Sequence, residues 1–299
     1  MKRNLVLSIL FLLVGFSFHP VHAAKWRAGH VIVIALDGWG GYSVSKAKIP
    51  NIRSVMESGC YTMKDRSVLP SSSAVNWASM FMGVGPELHG YTTWGSRTPE
   101  IPSRTVNGNG IFPTIFSVMR EQNPKAVTAC FYEWEGIKYL VDTLSLSRHA
   151  ICPDYEKNTT GLCEMAVKYI KEEKPHLFAV CFDQLDHVGH AAGHDTPGYY
   201  EKLDVQVDRI LQAVREAGIW DDTIIIMTAD HGGIRKGHGG ITLQEMEIPF
   251  IIAGKGIRKG GEFRESMMQF DTAATLAYIF KLKQLQAWIG RPAKHVFNR

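Results

Sequence analysis

The run Val31-Ile-Val-Ile-Ala-Leu36, which ends in Asp37-Gly38, decides the fold class of this 299-residue chain. A continuous apolar run rich in β-branched residues is typical of a strand buried on both faces, as the strands of parallel sheets are. Similar apolar runs follow at 126–132, 176–182, 223–229 and 248–253. We therefore predict one sheet that contains these five strands.

Segments with helical spacing alternate with the apolar runs. They lie at 50–58, 76–82, 113–122, 159–173, 199–217 and 271–280. This alternation predicts a mostly parallel central sheet with helices on both faces, which is an α/β fold of three layers, α/β/α. Ligands of such sheets bind beyond the carboxyl ends of the strands, so we expect the functional site at that edge.

The first 23 residues have the pattern of a secretion signal. Lys2 and Arg3 give the positive start, residues 5–16 are apolar, and Val21-His22-Ala23 fits a cleavage site. The apolar stretch is too short to span a membrane. We therefore expect a secreted or periplasmic protein without a transmembrane segment.

The remaining residues, 24–299, have the length of a single domain. Two stretches, 95–112 and 134–160, are expected to be small insertions over the site. The formal charge of +4 is small, and no basic run is interleaved with aromatic residues. These features argue against binding to a nucleic-acid polymer, and they leave the oligomeric state open.

The five cysteines are an odd number, so at least one is unpaired. Cys152 and Cys163 flank a loop-like stretch, and we expect them to form a disulfide in an oxidising compartment. Cys130 and Cys181 lie inside apolar runs, where a buried thiol is the expected state.

Three aspartates stand at or shortly after the ends of predicted strands. Asp37 and Asp230 each close an apolar run, and Asp186 follows the run 176–182. An Asp-Gly pair is by itself a common turn signal, so Asp37 taken alone would be interpreted as structural. Because the carboxyl ends of parallel strands lie at one edge of a sheet, we expect the three carboxylates to lie close together.

Three histidines accompany these aspartates. His190 lies four residues after Asp186, so on one helical turn both face the same side. His231 follows an aspartate directly, and His238 lies in a Gly-rich loop. Such a set can hold two divalent cations about 4 Å apart, and its imidazoles favour zinc over calcium or magnesium. His194 is a competing ligand, for which we favour a supporting or surface position.

A serine run, Ser71-Ser72-Ser73, directly precedes a predicted helix. The simplest interpretation is an N-cap with polar neighbours. A helix N-terminus also favours a phosphoryl group, through its backbone N–H groups and its positive dipole end. A hydroxyl placed there against a divalent cation becomes a nucleophile more easily. The cap and nucleophile interpretations are compatible.

The segment around these serines resembles a known family. Pro70-Ser-Ser-Ser73-Ala-Val-Asn76 and the later Gly83-Val-Gly-Pro86-Glu87-Leu-His89-Gly90 are similar to the nucleophile segment of the type I phosphodiesterases/nucleotide pyrophosphatases, which belong to the alkaline phosphatase superfamily. In that register Ser73 takes the position of the nucleophile. The resemblance continues through Asp37-Gly38, Asp186-x-x-Gly189-His190, Asp230-His231-Gly232 and Gly237-His238-Gly239.

The resemblance implies an alkaline-phosphatase-like catalytic domain with two divalent metal ions, expected to be zinc. It assigns Asp186, His190 and His238 to one metal. It assigns Asp37, Asp230, His231 and Ser73 to the other. Ser73 would attack phosphorus and form a phosphoseryl-type intermediate, and the substrate would be a small phosphoester or nucleotide.

The chain departs from the family at the phosphate-binding asparagine, which follows the His-Gly pair in relatives. Trp94 stands at that position here. Thr92, Thr93 or Asn109 are alternative donors, and the residues alone do not choose among them. The expected substrate contacts are Asn76, Thr92, Thr93 and Trp94, the last of which could stack on a base or aryl group or be buried by packing.

Four other functions compete with a phosphodiesterase. An arylsulfatase needs a Cys-x-Pro-x-Arg or Ser-x-Pro-x-Arg motif, which the chain lacks. A phosphoglycerate-mutase-like enzyme has a long second domain between its nucleophile and later ligands, for which there is no room. A phosphomonoesterase or phosphonate hydrolase stays open. Retention of all seven site residues argues against an inactive secreted binding protein.

Overall fold

A computed structural model describes residues 25–196 and 201–298. Its centre is an eight-stranded sheet in the order β4-β3-β5-β1-β6-β7-β2-β8. The strands are β1 (His30–Leu36), β2 (Cys60–Arg66), β3 (Thr128–Tyr132), β4 (Arg148–Ile151), β5 (Leu177–Phe182), β6 (Thr223–Thr228), β7 (Glu247–Gly254) and β8 (Gly261–Glu262). Pairing is parallel except that β7 runs antiparallel to both β6 and β2. The mostly parallel sheet is therefore confirmed.

Helices cover both faces of the sheet, which confirms the three layers. They are α1 (Gly41–Val44), α2 (Pro50–Ser58), α3 (Ser73–Met82), α4 (Pro86–His89), α5 (Ile115–Gln122), α6 (Gly161–Glu173), α7 (Gln184–Ala192), α8 (Glu201–Glu216), α9 (Leu243–Met246) and α10 (Asp271–Ile279). Residues of α3, α5 and α10 form one hydrophobic core, and residues of α2, α6 and α8 form the other.

Strand β1 shows why the sequence adopts this fold. Val31, Val33 and Ala35 face the core of α3 and α10, whereas Ile32 and Ile34 face the opposite core. Successive side chains of a strand point to opposite faces, so an apolar residue is required at every position of a strand covered on both sides. Full burial of each large aliphatic side chain contributes roughly 1.5–3 kcal/mol.

The apolar-run rule found the five central strands and missed three others. β2 carries Lys64, Asp65 and Arg66 and is exposed on part of its length. Its antiparallel pairing with β7 is also interrupted by a register shift between Thr62 and Asp65. Residues 95–112 contain no helix or strand, as expected of a loop, whereas 134–160 contributes the edge strand β4.

The predicted Cys152–Cys163 disulfide is wrong, because all five cysteines are free and buried. The Cys163 thiol donates to the carbonyl of Gln206 at 3.5 Å, and the Cys152 thiol contacts the carbonyl of Pro153 at 3.8 Å. Burial raises the pKa of both thiols to about 11. The loop-like spacing therefore gave a false signal.

The predicted secretion signal at 1–23 lies outside the described residues. Within the described ranges, none of the helices combines the length and the apolar character needed to cross a bilayer.

Candidate active site

Polar side chains converge at the carboxyl ends of the three neighbouring strands β5, β1 and β6. Asp37 follows β1 directly, and Asp230 lies two residues after β6. Asp186 lies in the first turn of α7, which begins just after β5. Because these strands are adjacent in the sheet, their ends bring the three carboxylates to one place, as predicted.

The first cluster surrounds the imidazole of His231. Its Nε2 lies 3.4 Å from Asp37 Oδ1, 3.3 Å from Asp230 Oδ2 and 3.2 Å from Ser73 Oγ. All four side chains are buried, with Ser73 only 3% exposed. Trp77 donates its indole N–H to Asp37 Oδ2 at 3.2 Å and so fixes that carboxylate.

The second cluster surrounds the carboxylate of Asp186. Its Oδ2 lies 3.0 Å from His190 Nε2 and 3.7 Å from His238 Nε2. The two imidazole nitrogens are themselves 3.2 Å apart. The His238 ring stacks on the His231 ring at 3.9 Å between centroids, so the two clusters are contiguous.

The backbone orients all three imidazoles in the same way. Nδ1 of His190 contacts the carbonyl of Lys236 at 2.9 Å. Nδ1 of His231 contacts the carbonyl of Gly232 at 2.8 Å, and Nδ1 of His238 that of Ser71 at 3.1 Å. A donor Nδ1–H leaves Nε2 with its lone pair directed at the carboxylates, which is the arrangement of histidines that bind metals.

The donor set fits divalent cations. Ligand atoms of Asp37, Asp230 and His231 lie within 4.8 Å of one another, and so do those of Asp186, His231 and His238. Oδ1 of Asp37 and Oδ2 of Asp230 are buried, and neither has a hydrogen-bond partner among the residues that the structure describes. Buried carboxylate oxygens are costly unless a positive charge compensates them. His231 belongs to both groups. His190 lies beside the second group, because its Nε2 contacts Asp186 and His238.

The carboxylates repel one another, as the ligands of a cation site do until a cation binds. Burial, and then the charges of Asp230 and Asp186, raise the pKa of Asp37 well above its usual value. Burial and the charge of Asp186 do the same to the pKa of Asp230. Burial also opposes ionisation of Asp186, but hydrogen bonds with His190 and His194 outweigh it and lower its pKa.

The imidazoles differ in their affinity for protons. Burial, followed by the neighbouring His238, lowers the pKa of His231 to about 3, so this ring is neutral at physiological pH. Burial also lowers the pKa of His238. The hydrogen bond with Asp186 raises the pKa of His190 to about 9. A metal ligand must be neutral imidazole, so a cation would have to displace a proton at His190 but not at His231.

A sequence profile of the type I phosphodiesterase / nucleotide pyrophosphatase family matches residues 31–236. The chain belongs to this family. The matched segment contains six of the seven predicted metal-site residues: Asp37, Ser73, Asp186, His190, Asp230 and His231. His238 lies two residues beyond it.

Curated relatives show the same family over much of this chain. An uncharacterized pyrophosphatase/phosphodiesterase of Schizosaccharomyces pombe is 24% identical over 246 residues, which are 75% of this chain and 48% of that protein. Human ectonucleotide pyrophosphatase/phosphodiesterase family member 1 is 21% identical over 234 residues, 71% of this chain and 24% of that protein. The chain thus spans about half or less of the length of these two relatives.

Solved structures show the alkaline-phosphatase-like fold. Murine ectonucleotide pyrophosphatase/phosphodiesterase 5, solved as an inactive variant in complex with AMP, superposes with a TM-score of 0.71 at 14% identity and covers 90% of this chain and 100% of its own. A 2-O GAG sulfatase superposes with a TM-score of 0.70 at 17% identity and covers 89% of this chain and 73% of its own.

Asn76, expected to contact substrate, is turned to the backbone instead. Its amide nitrogen donates to the carbonyls of Val68, Pro70 and Ser72, and its Oδ1 accepts from Val68 N–H at 2.8 Å. The side chain is fully buried. The family's asparagine three residues after the nucleophile therefore shapes the loop that presents Ser73, and it has no spare donor for a substrate.

The two threonines in the segment where the family has its phosphate-binding asparagine bind a carboxylate. Thr92 donates its N–H and its hydroxyl to Glu100 Oε2, at 2.7 and 3.1 Å. The Thr93 hydroxyl donates to Glu100 Oε1 at 3.3 Å. Both hydroxyls are therefore engaged by a carboxylate.

Trp94 lies at the mouth of the site. It is 60% exposed and lines a cleft of about 500 Å³ together with Ser72, His190 and His238. Its ring centroid lies 6.3 Å from that of Trp134, with a tilt of 34°. Of the four predicted substrate contacts, Trp94 is the one that lines this cleft.

The sequence favoured a supporting or surface position for His194 and did not reveal a carboxylate network behind the site. His194 is fully buried, and its Nε2 lies 3.0 Å from Asp186 Oδ1, so it supports that carboxylate from behind. Asp183 ends β5 as Asp37 ends β1, and the same strand-end rule could have found it. Glu133 accepts from the N–H of Asp183 at 2.7 Å and from the side chain of Gln184, and burial raises its pKa to about 7.

Proposed function

We propose that this chain is a secreted, two-metal phosphoric ester hydrolase of the phosphodiesterase/nucleotide pyrophosphatase type, acting through a phosphoseryl intermediate on Ser73. One observation carries the proposal. The hydroxyl of Ser73 lies 3.2 Å from His231 Nε2, beside the buried carboxylates of Asp37 and Asp230. A buried hydroxyl, an imidazole and two buried carboxylates at one point are more typical of a reaction centre than of a structural core.

In this proposal Asp186, His190 and His238 hold one cation, and Asp37, Asp230, His231 and Ser73 hold the other. Two divalent cations, zinc being favoured by the three imidazoles, would lower the pKa of the serine hydroxyl and neutralise phosphoryl charge. The site residues lie on strand ends and helix starts, so they need little rearrangement before reaction.

Ser73 performs the first chemical step. Its Oγ forms a bond to phosphorus while the bond from phosphorus to the leaving oxygen breaks. The serine proton leaves with the departing oxygen, and the remaining ester group stays on phosphorus. Water then attacks this phosphoseryl ester, the Oγ–phosphorus bond breaks, the phosphomonoester is released, and Ser73 regains a proton from the attacking water. Ser73 is the first residue of α3, so the positive end of the helix dipole faces the phosphoryl group in both steps.

The substrate we propose is a small phosphodiester or nucleotide. Trp94 and Trp134 provide an aromatic surface beside the cleft, on which a base or aryl leaving group can stack. The murine protein was solved with AMP. For this chain the corresponding ligand is an ester of a nucleoside monophosphate. The pattern of residues 1–23 supports secretion or export to the periplasm.

An ester panel tests the reaction class. The purified protein should hydrolyse bis-p-nitrophenyl phosphate with a kcat/KM at least tenfold above that for p-nitrophenyl phosphate, and should leave p-nitrophenyl sulfate almost untouched. A higher kcat/KM for the monoester would make it a phosphomonoesterase of the same superfamily, and turnover of a phosphonate alone would make it a phosphonate hydrolase. Turnover of none would favour a binding protein.

Chelation should make the stability of the protein fall as pH rises. Metal-free folded protein retains protons on Asp37 and Asp230, whose pKa values are raised, and on His190, whose pKa is raised to about 9. The unfolded chain releases those protons at the ordinary values of 3.8 and 6.5. Stability contributed by these groups is therefore lost as pH rises, and in the window from 6.5 to 9 His190 adds to the loss.

Cations replace the retained protons, so zinc-loaded protein should show a nearly constant Tm over that window. Thermal unfolding with EDTA and with zinc, measured from pH 6.5 to 9, checks this. A gap in Tm between the two samples that narrows with rising pH would argue against a cation site built on these residues.

A further inference from the structure

The three alternative donors named from the sequence, Thr92, Thr93 and Asn109, do not replace the family's phosphate-binding asparagine. Thr92 and Thr93 donate to Glu100. The amide of Asn109 donates to the two carboxylate oxygens of Asp142, at 2.9 and 3.2 Å. A donor that is held by a carboxylate is a poor donor to a phosphoryl anion, because the two anions compete for the same proton.

Ser72 offers a different donor. It is the N-cap residue of α3, with extended backbone angles of φ −142° and ψ 157°, yet its side chain makes no capping hydrogen bond. The residue is 4% exposed, and its Oγ is buried without a hydrogen-bond partner in the described part of the chain. A serine at this position normally accepts from the second or third N–H of its helix. A buried hydroxyl left unpaired costs free energy, which suggests a partner outside the protein.

Trp94 explains why Ser72 is not used as a cap. The second N–H of α3, that of Ala74, donates to the backbone carbonyl of Trp94 at 3.1 Å. The loop that lacks the family's asparagine thus supplies the capping acceptor itself. The segment around Trp94 therefore lacks the asparagine donor of the family. It also leaves the hydroxyl of Ser72 without the capping role that a serine at an N-cap usually has.

The released hydroxyl belongs to a residue of the reaction cleft. Ser72 precedes Ser73 and lines the cleft with His190, His238 and Trp94. Ser71 differs, because its hydroxyl donates to Gly240 O at 2.7 Å and accepts from the N–H of Gly239 at 3.2 Å. Of the three consecutive serines, the first fixes the loop that carries His238, and the third is the nucleophile of the proposed function.

We propose that the Ser72 hydroxyl donates a hydrogen bond to a nonbridging phosphoryl oxygen and replaces the family's asparagine as a catalytic residue. This inference rests on the proposed function. A buried donor fixed beside the reacting atom stabilises the charge that develops there without reorganising, which is the advantage of oxyanion-hole donors. Trp94 lines the same cleft, but its side chain is 60% exposed and lacks this restraint.

Variants of Ser72 distinguish a hydroxyl that donates to the phosphoryl group from one that only caps α3. Ser72→Ala and Ser72→Gly should both lower kcat for bis-p-nitrophenyl phosphate by about 10²-fold, the smaller effect expected on removal of one oxyanion donor, with little change in KM. Glycine is an acceptable N-cap, so Ser72→Gly should keep the Tm of the wild type. Ser72→Thr keeps a hydroxyl at this position and should restore most of the activity.

Ser71→Ala is the comparison for damage to the loop. It should weaken cation affinity, and excess zinc should restore its kcat, whereas excess zinc should not restore kcat to Ser72→Ala. Near-normal kcat in both Ser72→Ala and Ser72→Gly, with Ser73→Ala inactive, would overturn the role of Ser72 and leave the proposed function standing. Activity retained by Ser73→Ala would overturn the proposed function itself. A loss that zinc restores in Ser72→Ala would also contradict the donor role.

Discussion

Replacement of Ser73 by alanine should reduce kcat for a phosphodiester by about 10⁴-fold or more, as removal of a covalent nucleophile does in other hydrolases. The change removes the oxygen that lies 3.2 Å from His231 and leaves the helix that begins at this position able to form. Alanine has a high helix propensity and the site is buried, so the Tm should change little. Both cations should remain bound, because Asp37, Asp230 and His231 are unchanged.

Steady-state kinetics with cation content and Tm measured on the same samples check this prediction. Ser58→Ala is a matched control, since Ser58 is exposed at the end of α2 and donates only to Val55 of its own helix. It should have wild-type kcat. With a diester substrate, acid-quenched wild-type protein should also carry on Ser73 the phosphoryl group together with its remaining ester substituent, as measured by mass spectrometry. Substantial activity in Ser73→Ala would mean that water attacks the phosphorus directly and that no covalent intermediate is needed.

Asp186→Asn should have the second largest effect, a loss of about 10³-fold in kcat/KM, which corresponds to the several kcal/mol that a Lewis-acid cation supplies. The carboxylate of Asp186 contacts three imidazoles, those of His190, His194 and His238. Its replacement removes one negative ligand and the partner that orients these rings. Bound zinc should fall from two equivalents to one, because the cluster of Asp37, Asp230 and His231 stays intact.

Metal analysis by mass spectrometry on protein purified without chelator, together with kinetics, measures both effects. Asp221→Asn is the control, since Asp221 is exposed next to the start of β6, at the edge of the sheet opposite the site. It should keep two equivalents of zinc and full activity. An Asp186→Asn variant that kept both cations, or a wild type that held one, would contradict the assignment of ligands.

The sequence was informative about the fold wherever burial alone dictated composition. β1 and β6 lie inside the sheet with helices above and below, so their central positions are apolar and the run is visible without any alignment. β2 and β8 lie toward one edge, where alternating or charged side chains are tolerated, and the same rule missed them. The edge strand β4 was missed for the same reason.

The candidate site could also be predicted in part from the sequence, from the residues at the strand ends. Asp37 and Asp230 were predictable because each directly terminates an apolar run, and the structure brings them together. The roles of Asn76 and Ser72 were not predictable, because they depend on which backbone groups form hydrogen bonds nearby. Asn76 is held by the loop before Ser73, and Ser72 is freed by a carbonyl of a distant loop. The spacing of residues along the sequence does not indicate such exchanges of hydrogen-bond partners.

The central claim is that two cations are held on either side of His231, with Ser73 beside one of them. Anomalous diffraction at the zinc edge, from crystals of protein purified without chelator, tests it most directly. We expect two peaks about 4 Å apart, one among Asp37, Asp230 and His231, and the other among Asp186, His190 and His238. A single peak, no peak, or peaks that lie away from these side chains would contradict it.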